Sequence, residues 1–449
     1  MRSRVLILAV LVVVAAVTLV AVAAADRSEP LPTVTAPELL AAMAEADGPE
    51  AVSGDVAWRN GLFGDLAAAS GMDHVPAQSP LTSSGSGRIW VSDTGVRVES
   101  QGGGGDQVVV VNSGRRTAWV YDAAEDTAKK VTVTGEAPAE TASPAPDAAM
   151  LTPDAIALFL QQVSRLATVE VAGQTVVAGR QAYRLRMTPA ADDTALGSVE
   201  AAVDGETMLP LQLDVYARGG VEPVLRYGFT SVSYEAIDPD LFTFQPPAGT
   251  RVTSRTVDGD RVRRELGAHG DAGQEPTGEQ KARAEKQVRR AFLAREQVRD
   301  LVPYELAWAR GYDARAFRWG HVLSSAGPLT GSGMPLMGLL AQAAGMTPRG
   351  ASPADLAEKG GPASALLYGE GLGAIVLVQT ETTPELKRQI AEARSASELL
   401  GSTSVNGAKA LVVGTPLGGA VVWQQDGTTL VAAGMVPMSD LEAFAGFVR

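Results

Sequence analysis

Residues 87–100 have the sequence GRIWVSDTGVRVES, in which Ile and Val residues alternate with polar or aromatic ones around Asp93-Thr94-Gly95. A period of two is typical of β-strands, and a short turn rich in Asp, Thr and Gly joins two strands into a hairpin. The same pattern recurs through the first half of the chain. It predicts further strands at 52–58, 107–111, 117–121, 168–171, 175–178, 182–188, 198–203, 208–216 and 224–234.

Two helices are predicted among these strands. Thr35 and Glu38 form a capping box, which predicts a helix through about residue 46. Thr152 caps a second helix, in which Pro153 occupies the first turn and apolar residues recur at helical spacing to about residue 163. A sheet of about eleven strands must curl, and its concave face must pack on something. The two helices are the only local candidates, so the first part of the chain is predicted to have an α+β fold.

The four consecutive glycines at 102–105 are predicted to form the tip of a hairpin. A phosphate-binding loop would need a helix after it, whereas a run of valines follows.

A family resemblance rests on motifs in a fixed order. They are Tyr183-Arg184-Leu185, Asp204-Gly205-Glu206-Thr207, residues 229–237 and the closing motif LFTFQPPAG at 241–249. This order resembles the LolA-like superfamily, which includes the lipoprotein carrier LolA and the sigma-factor regulator RseB (MucB). The resemblance covers about residues 35–250. It implies a half-open antiparallel β-barrel, lidded by helices, whose concave face holds acyl chains.

Candidates for the ligand cleft follow from strand parity, because alternate side chains of a strand share a face. Any of them could equally be ordinary core under the helices, and the sequence leaves open which face is concave. The candidates are Trp90, Val96, Val98, Trp119, Tyr121, Tyr183, Leu185, Leu211, Leu213 and Phe229.

The rest of the chain divides into a connection and a second domain. Residues 251–277 are polar and are predicted to be a linker or an extended edge, and 278–301 a helix with a basic excess. Such a helix could contact a membrane surface or an anti-sigma factor, although a solvated connecting helix is favoured. The region 251–300 is therefore assigned as a charged linker and helix, and 301–449 as a smaller α+β domain. Residues 321–360 contain no Gly-x-Ser-x-Gly motif that would indicate a serine hydrolase.

The second domain is similar to the carboxy-terminal domain of RseB, and residues 301–312 resemble its entry strand. Strands are predicted at 365–368, 373–379, 409–413, 420–424 and 429–433, and one helix begins at 382–385. A capping box at Ser439 to Glu442 predicts a final helix that buries Leu441, Phe444 and Val448.

The amino terminus indicates export. Residues 5–25 carry no charge, which is long enough to cross a bilayer, and Arg2 and Arg4 favour the cytoplasmic side. Ala23 to Ala25 before Asp26 also resembles a cleavage site. Residues 1–25 are therefore either a signal peptide or a single anchor, and residues 26–250, the cleft domain, lie outside the cytoplasm in both cases.

Composition excludes several kinds of function. The chain has no cysteine and three dispersed histidines, which speaks against thiolate or histidine metal sites, and its net charge of −13 speaks against nucleic acid. No cofactor and no catalytic residues are predicted. The leading hypothesis is a non-enzymatic binding protein for a lipid or lipoprotein, which regulates a membrane anti-sigma factor in the manner of RseB. The alternative is a lipid or lipoprotein carrier of LolA type.

Overall fold

The structure is a computed structural model. It describes residues 30–46, 48–62, 84–102, 105–134, 167–258, 292–293, 298–300, 302–312, 314–318, 363–369, 371–384, 386–388, 390–391 and 401–449. Within these residues the protein is mostly β-sheet, with twelve strands in one sheet and eight in another. The predicted helix at 152–163 and the segment 321–360 lie outside the described residues. Of the predicted helix at 278–301, only 292–293 and 298–300 are described. Phe292 and Leu293 form a short strand, so the helix prediction is wrong at these two residues, whose backbone pairs with Phe317 and Ala316.

Twelve strands form the first sheet, in the order β12-β6-β5-β4-β3-β2-β1-β11-β10-β9-β8-β7. Two meanders, β1–β6 and β7–β11, meet where β1 pairs with β11 in antiparallel register, and β12 adds to β6 in parallel. Because β12 and β7 are the two ends of this order, the sheet is open. The strands are β1 (Ala51–Asn60), β2 (Gly85–Ser92), β3 (Gly95–Gly102), β4 (Gly105–Asn112), β5 (Thr117–Asp122), β6 (Thr127–Thr134), β7 (Ala167–Val177), β8 (Arg180–Pro189), β9 (Leu196–Asp204), β10 (Pro210–Ala217), β11 (Pro223–Phe229) and β12 (Arg251–Asp258).

The hairpin at 87–100 is confirmed, with Ser92 paired to Gly95 at its turn. Gly102 and Gly105 pair at the end of β3 and β4, so the glycine run also joins two strands. Residues 168–178, predicted as two strands, are one strand with an irregularity between Val171 and Gln174. The sequence pattern missed β6, and β12 occupies the first part of the segment predicted as a linker or an extended edge.

Helix α1 (Ala36–Glu45) begins with the predicted capping box. The Thr35 backbone N–H donates to Glu38 Oε2 at 2.8 Å, and the Glu38 N–H donates to Thr35 Oγ1 at 3.4 Å. These two hydrogen bonds satisfy donors that the first turn of a helix otherwise leaves without partners.

Eight antiparallel strands form the second sheet, in the order β13-β14-β15-β16-β20-β19-β18-β17. Helix α2 (Met438–Phe447) packs on one face through Leu441 and Phe444, whereas Leu386 and Ile390 pack on the other. The strands are β13 (Phe292–Leu293), β14 (Ala314–Arg318), β15 (Ala363–Tyr368), β16 (Ile375–Glu381), β17 (Gly401–Val405), β18 (Ala408–Thr415), β19 (Gly418–Gln425) and β20 (Thr428–Gly434).

Two predictions for the second domain are wrong in detail. Helix α2 begins at Met438 with Pro437 as N-cap, so Ser439 lies inside the first turn and makes no cap hydrogen bond. Residues 302–312 contain no described strand, apart from a single bridge between Ala309 and Val448. This segment is held instead by side chains: Gln379 is fully buried and both donates to and accepts from the backbone of Ala307, at 2.6 and 2.9 Å.

Candidate functional site

The two faces of the first sheet differ in chemistry. Register places alternate residues of β1–β4 and β8–β11 on one face, which we call the apolar face, and no charged residue belongs to it in these eight strands. Its buried members include Val56, Ile89, Val98, Val109, Leu185, Val199, Ala201, Leu211, Tyr227 and Phe229.

The opposite face, which we call the charged face, carries Arg, Asp and Glu on the same strands. Arg226 pairs with Asp214 at 2.7 Å, and Arg186 pairs with Glu200 at 2.7 Å. Arg88 pairs with Asp55 at 2.9 Å, with both side chains about half exposed. Partly exposed ion pairs contribute about 0–1 kcal/mol each, so these pairs add little to stability.

Helix α1 covers part of the apolar face. Leu39 is buried in the same hydrophobic cluster, and Leu40 and Met43 pack against it. A helix of ten residues is about 15 Å long, whereas eight strands spaced about 4.8 Å apart span about 34 Å from the first to the last. Helix α1 alone is therefore too short to cover the whole apolar face.

The chain that leads into α1 is fixed to the edge of the sheet. The side chain of Gln174 on β7 accepts from the Leu31 N–H at 3.0 Å and donates to the Leu31 carbonyl at 2.7 Å. Tyr183 Oη donates to the Pro32 carbonyl at 3.1 Å. These contacts set the point at which the amino-terminal segment reaches the apolar face.

A buried ionic network lies beside the place where Leu31 contacts the sheet. Arg180 Nε donates to the buried Asp204 carboxylate at 2.6 Å, and Tyr234 Oη donates to it at 3.0 Å. Burial by itself raises the pKa of Asp204, but the hydrogen bonds from Arg180, from the N–H groups of Thr207 and Glu206 and from Tyr234 outweigh it and hold this pKa below its usual value. The network fixes the turn whose Gly205 lies against Leu31, where any larger residue would meet the Leu31 side chain.

The predicted cleft residues divide between the two faces. Seven lie on the apolar face: Val96, Val98, Tyr183, Leu185, Leu211, Leu213 and Phe229. The other three, Trp90, Trp119 and Tyr121, lie on the charged face. Strand parity identified which residues share a face, but it could not identify which face α1 covers.

The three aromatic residues of the charged face have partners there. The guanidinium groups of Arg88 and Arg97 lie 5.8 and 6.0 Å from the ring centre of Trp90. Trp119 and Tyr121 pack against Phe244 with ring centres 5.6 and 5.9 Å apart. The closing motif LFTFQPPAG thus crosses the charged face, where Asn112 Nδ2 also donates to the Phe242 carbonyl at 3.1 Å.

Sequence reasoning did not single out Trp58, which is buried on the apolar face near the end of β1. Trp58 is 4% exposed and pairs across the sheet with Tyr227 on one side and Gly85 on the other. Burial raises the pKa of the Tyr227 hydroxyl far above its usual value, so this group stays neutral. The even spacing of Val52, Val56 and Trp58 was the signal that could have identified Trp58.

The second domain contacts one end of the apolar face. Leu417, in the turn between β18 and β19, is buried in the hydrophobic cluster of the first sheet. The Met435 carbonyl accepts from the Ala195 N–H at 2.7 Å and from Thr194 Oγ1 at 2.8 Å. The two domains therefore share a packed and hydrogen-bonded contact beside β9.

The described parts of the chain contain no group of three or more His, Asp or Glu residues placed to hold a metal ion. No helix among them combines the length and apolar composition needed to cross a bilayer. The predicted segment at 5–25 lies outside the described residues.

No protein-family model matches the chain, and no curated protein sequence matches it. Solved structures with a similar fold include a chain of the MucA/MucB complex of Pseudomonas aeruginosa, which is 17% identical with a TM-score of 0.38 and covers 92% of this chain and 98% of its own. A crystal structure of MucB is 18% identical with a TM-score of 0.32 and covers 92% of this chain and 97% of its own. A LolA-superfamily protein from Nitrosomonas europaea is 12% identical with a TM-score of 0.20 and covers 47% of this chain and 99% of its own.

At these identities and TM-scores the likeness concerns the fold and carries nothing about ligand or partner. The structural neighbours of the chain thus include MucB and LolA-superfamily proteins, the group that its sequence motifs resemble.

Proposed function

We propose that this chain is a non-enzymatic binding protein outside the cytoplasm, which holds an acyl chain of a lipid or lipoprotein on the apolar face beneath α1. The observation that carries the proposal is the contrast between the faces. Eight strands present no charge toward α1, whereas their alternate residues present ion-paired Arg, Asp and Glu to the other side. Clefts lined by apolar groups with few polar ones are the usual form of small-molecule sites.

The free energy gained by burying hydrocarbon on the apolar face is large enough for an acyl ligand. Burying one methylene contributes about 0.8 kcal/mol, so a chain of about ten methylenes contributes about 8 kcal/mol. Immobilising the ligand offsets part of this gain, which leaves affinity in the range that a reversible carrier or sensor needs. The partly buried Leu213, Val96 and Val169 border the buried cluster and would meet the chain first.

We favour regulation as the role of this binding. The resemblance to RseB-type proteins implies a membrane anti-sigma factor as partner of the second domain. The contact of Leu417 with the hydrophobic cluster supports this role, because a ligand on the apolar face would lie in the same cluster as a residue of the second domain. A simple carrier would need the first domain only.

The carrier remains the second candidate. Ala23 to Ala25 resemble a cleavage site, and cleavage would release a chain that can diffuse through the envelope with its cargo. An uncleaved anchor at 5–25 would instead hold the protein at the cytoplasmic membrane. Determining the amino-terminal residue of the protein purified from its host separates the two cases.

The binding itself is tested by extracting lipids from the purified protein and by titrating it with a fluorescent acyl probe. Leu213→Arg places a charge on the apolar face and should weaken probe binding at least tenfold, because an unpaired charge there is costly to bury. Gln212→Arg is the matched control, since Gln212 precedes Leu213 on β10 but belongs to the charged face, and it should leave binding unchanged. A folded protein that yields no lipid and rejects the probe would refute the proposal.

A further inference from the structure

The apolar face continues from β4 into β5, β6 and β12, and its chemistry changes there. Register defines two cross-strand rows that start on this face in β2. The first row, from β2 to β12, consists of Val91, Val96, Val111, Ala118, Val131 and Arg255. The second row, from β2 to β6, consists of Ile89, Val98, Val109, Val120 and Lys129. Each row is therefore apolar through at least four strands and then reaches a cation on β6 or β12.

Solvent exposure increases along both rows. In the second row Ile89, Val98 and Val109 are buried, whereas Lys129 is exposed. Arg255, at the end of the first row, is exposed as well. The apolar face thus passes from a buried interior to a charged margin in contact with water. An amphiphile, which has a hydrocarbon chain and a polar head group, combines the same two kinds of surface.

The cations of this margin are close neighbours in register. Lys129 pairs with Thr253 on β12, and Arg251 and Arg255 lie two positions to either side of Thr253 on the same face. Diagonal neighbours on one face of a sheet are about 7–8 Å apart, which is within reach of long side chains. Side chains of this group can therefore approach one small anion together.

The two cations that end the rows have no carboxylate partner among the described residues. The ion pairs of those residues include neither Lys129 nor Arg255. The charged face differs, because Arg186 and Arg226 each pair with a carboxylate at 2.7 Å. An anion from outside the chain would give Lys129 and Arg255 the kind of partner that Arg186 and Arg226 have within it.

Carboxylates lie near one side of this group only. Asp122 lies in the cross-strand row of Arg251, two strands away, and the Arg251 N–H donates to the carbonyl of Asp126 in the adjoining turn at 3.1 Å. Lys129 and Arg255 are further along the strands from this turn. The uncompensated positive charge is therefore greatest at Lys129 and Arg255.

We propose that Lys129 and Arg255 bind the anionic head group of the amphiphile whose acyl chain lies on the apolar face. This inference rests on the proposed function and specifies its ligand: an acyl chain with a negatively charged head group, rather than a neutral lipid. Charged residues near a sheet edge also discourage pairing with another chain. That role alone would give no preference among ligands.

The test uses the protein as its host produces it, stripped of lipid, and measures displacement of a fluorescent acyl probe. Three competitors share a dodecyl chain and differ in head group: dodecyl phosphate, dodecyl maltoside and dodecyltrimethylammonium, each below its critical micelle concentration. At low salt dodecyl phosphate should bind about tenfold more tightly than dodecyl maltoside, and dodecyltrimethylammonium should bind more weakly than both. Added salt should reduce this preference, because it screens exposed charges. Inorganic phosphate, which has the charge but no chain, should not displace the probe.

Lys129→Gln and Arg255→Gln should each weaken binding of dodecyl phosphate by about twofold to fivefold and leave the affinity for dodecyl maltoside unchanged. Lys130→Gln is the matched control. It removes the same charge from the next residue of β6, whose ammonium lies on the charged face, 5.3 Å from the ring centre of Trp119. Lys129→Gln and Lys130→Gln have the same net charge, so a difference between them reflects the position of the cation. The control should change none of the affinities.

Three results would overturn the inference. Equal affinities for dodecyl phosphate and dodecyl maltoside would mean that the cations protect the sheet edge only. Displacement by inorganic phosphate as effective as by dodecyl phosphate would mean an anion site unconnected with the acyl chain. Neither of these measurements needs a variant to fold. The third result is an equal loss of affinity in Lys129→Gln and Lys130→Gln. If neither the acyl probe nor any dodecyl compound binds the wild-type protein, the proposed function itself fails, and that result is distinct from all three.

Discussion

The two sheets of this protein bury their apolar residues in different ways. The eight-stranded sheet has covered apolar residues on both sides, with Phe444 of α2 on one face and Ile390 on the other. The twelve-stranded sheet is apolar on one side only, and the described helix on that side is about as long as three strand spacings. The second sheet is thus packed on both faces, whereas the first sheet has one apolar face and one face that carries ion pairs.

The largest expected effect on stability concerns the core of the second domain. Phe444→Ala should lower the free energy of unfolding by about 3–5 kcal/mol, because Phe444 is fully buried and the substitution leaves a cavity. Denaturant titration with an intrinsic tryptophan signal measures the change. Affinity for an acyl probe at low denaturant should stay the same, and a large loss of affinity would mean that the second core also shapes the cleft.

A smaller effect is expected where the two sheets meet. Leu417→Ala removes a side chain that belongs to the second domain but is buried in the cluster of the first. It should lower the free energy of unfolding by about 2–3 kcal/mol and separate the unfolding of the two domains in calorimetry. Ser404→Ala, at an exposed position on β17, is the control and should change stability by less than about 0.5 kcal/mol. Unchanged calorimetric transitions in Leu417→Ala would show that the domains are not coupled there.

The smallest effect concerns the ionic network at the edge of the first sheet. The pKa of Asp204 is lowered in the folded protein, so its ionised form contributes stability above the unfolded pKa of about 3.9, and this contribution is lost as the pH falls below it. Asp204→Asn should therefore be less stable than wild type at pH 7, by on the order of 1 kcal/mol, and the difference should shrink at pH 3. Urea unfolding at both pH values measures it, and a difference that does not depend on pH would contradict the assignment.

Much of the first sheet could be predicted because its signal is local. The strands around residues 87–100, the turn at Asp93-Thr94 and the capping box at Thr35 each depend on residues within a few positions of one another. Strand β6 escaped prediction, and β12 was predicted only as a linker or an extended edge, for a physical reason. They lie at one end of the sheet, where a strand need not bury alternate residues, and their sequences are rich in Lys, Thr and Arg.

The candidate site could be predicted only in part. Of the predicted cleft residues, Tyr183, Leu185 and Leu213 lie on the apolar face, whereas Trp90 and Trp119 belong to the other face, and a ligand role for any of them stays a prediction. Their neighbour Phe244 comes from more than a hundred residues further along the chain, and no local pattern connects them. Trp58 was missed although its even spacing from Val52 and Val56 indicates that it shares their face.

By itself the sequence determined the period of the strands, the pairs of residues that share a face, the cap of α1 and the uncharged stretch at 5–25. These features depend on the two-residue repeat of an extended chain and on contacts within one helical turn. Only the tertiary structure decided which face is apolar, because that depends on pairings such as Val56 with Phe229 and on where α1 packs. It also decided that Lys129 and Arg255 lie at the ends of apolar rows, since several strands must be in register before such rows exist.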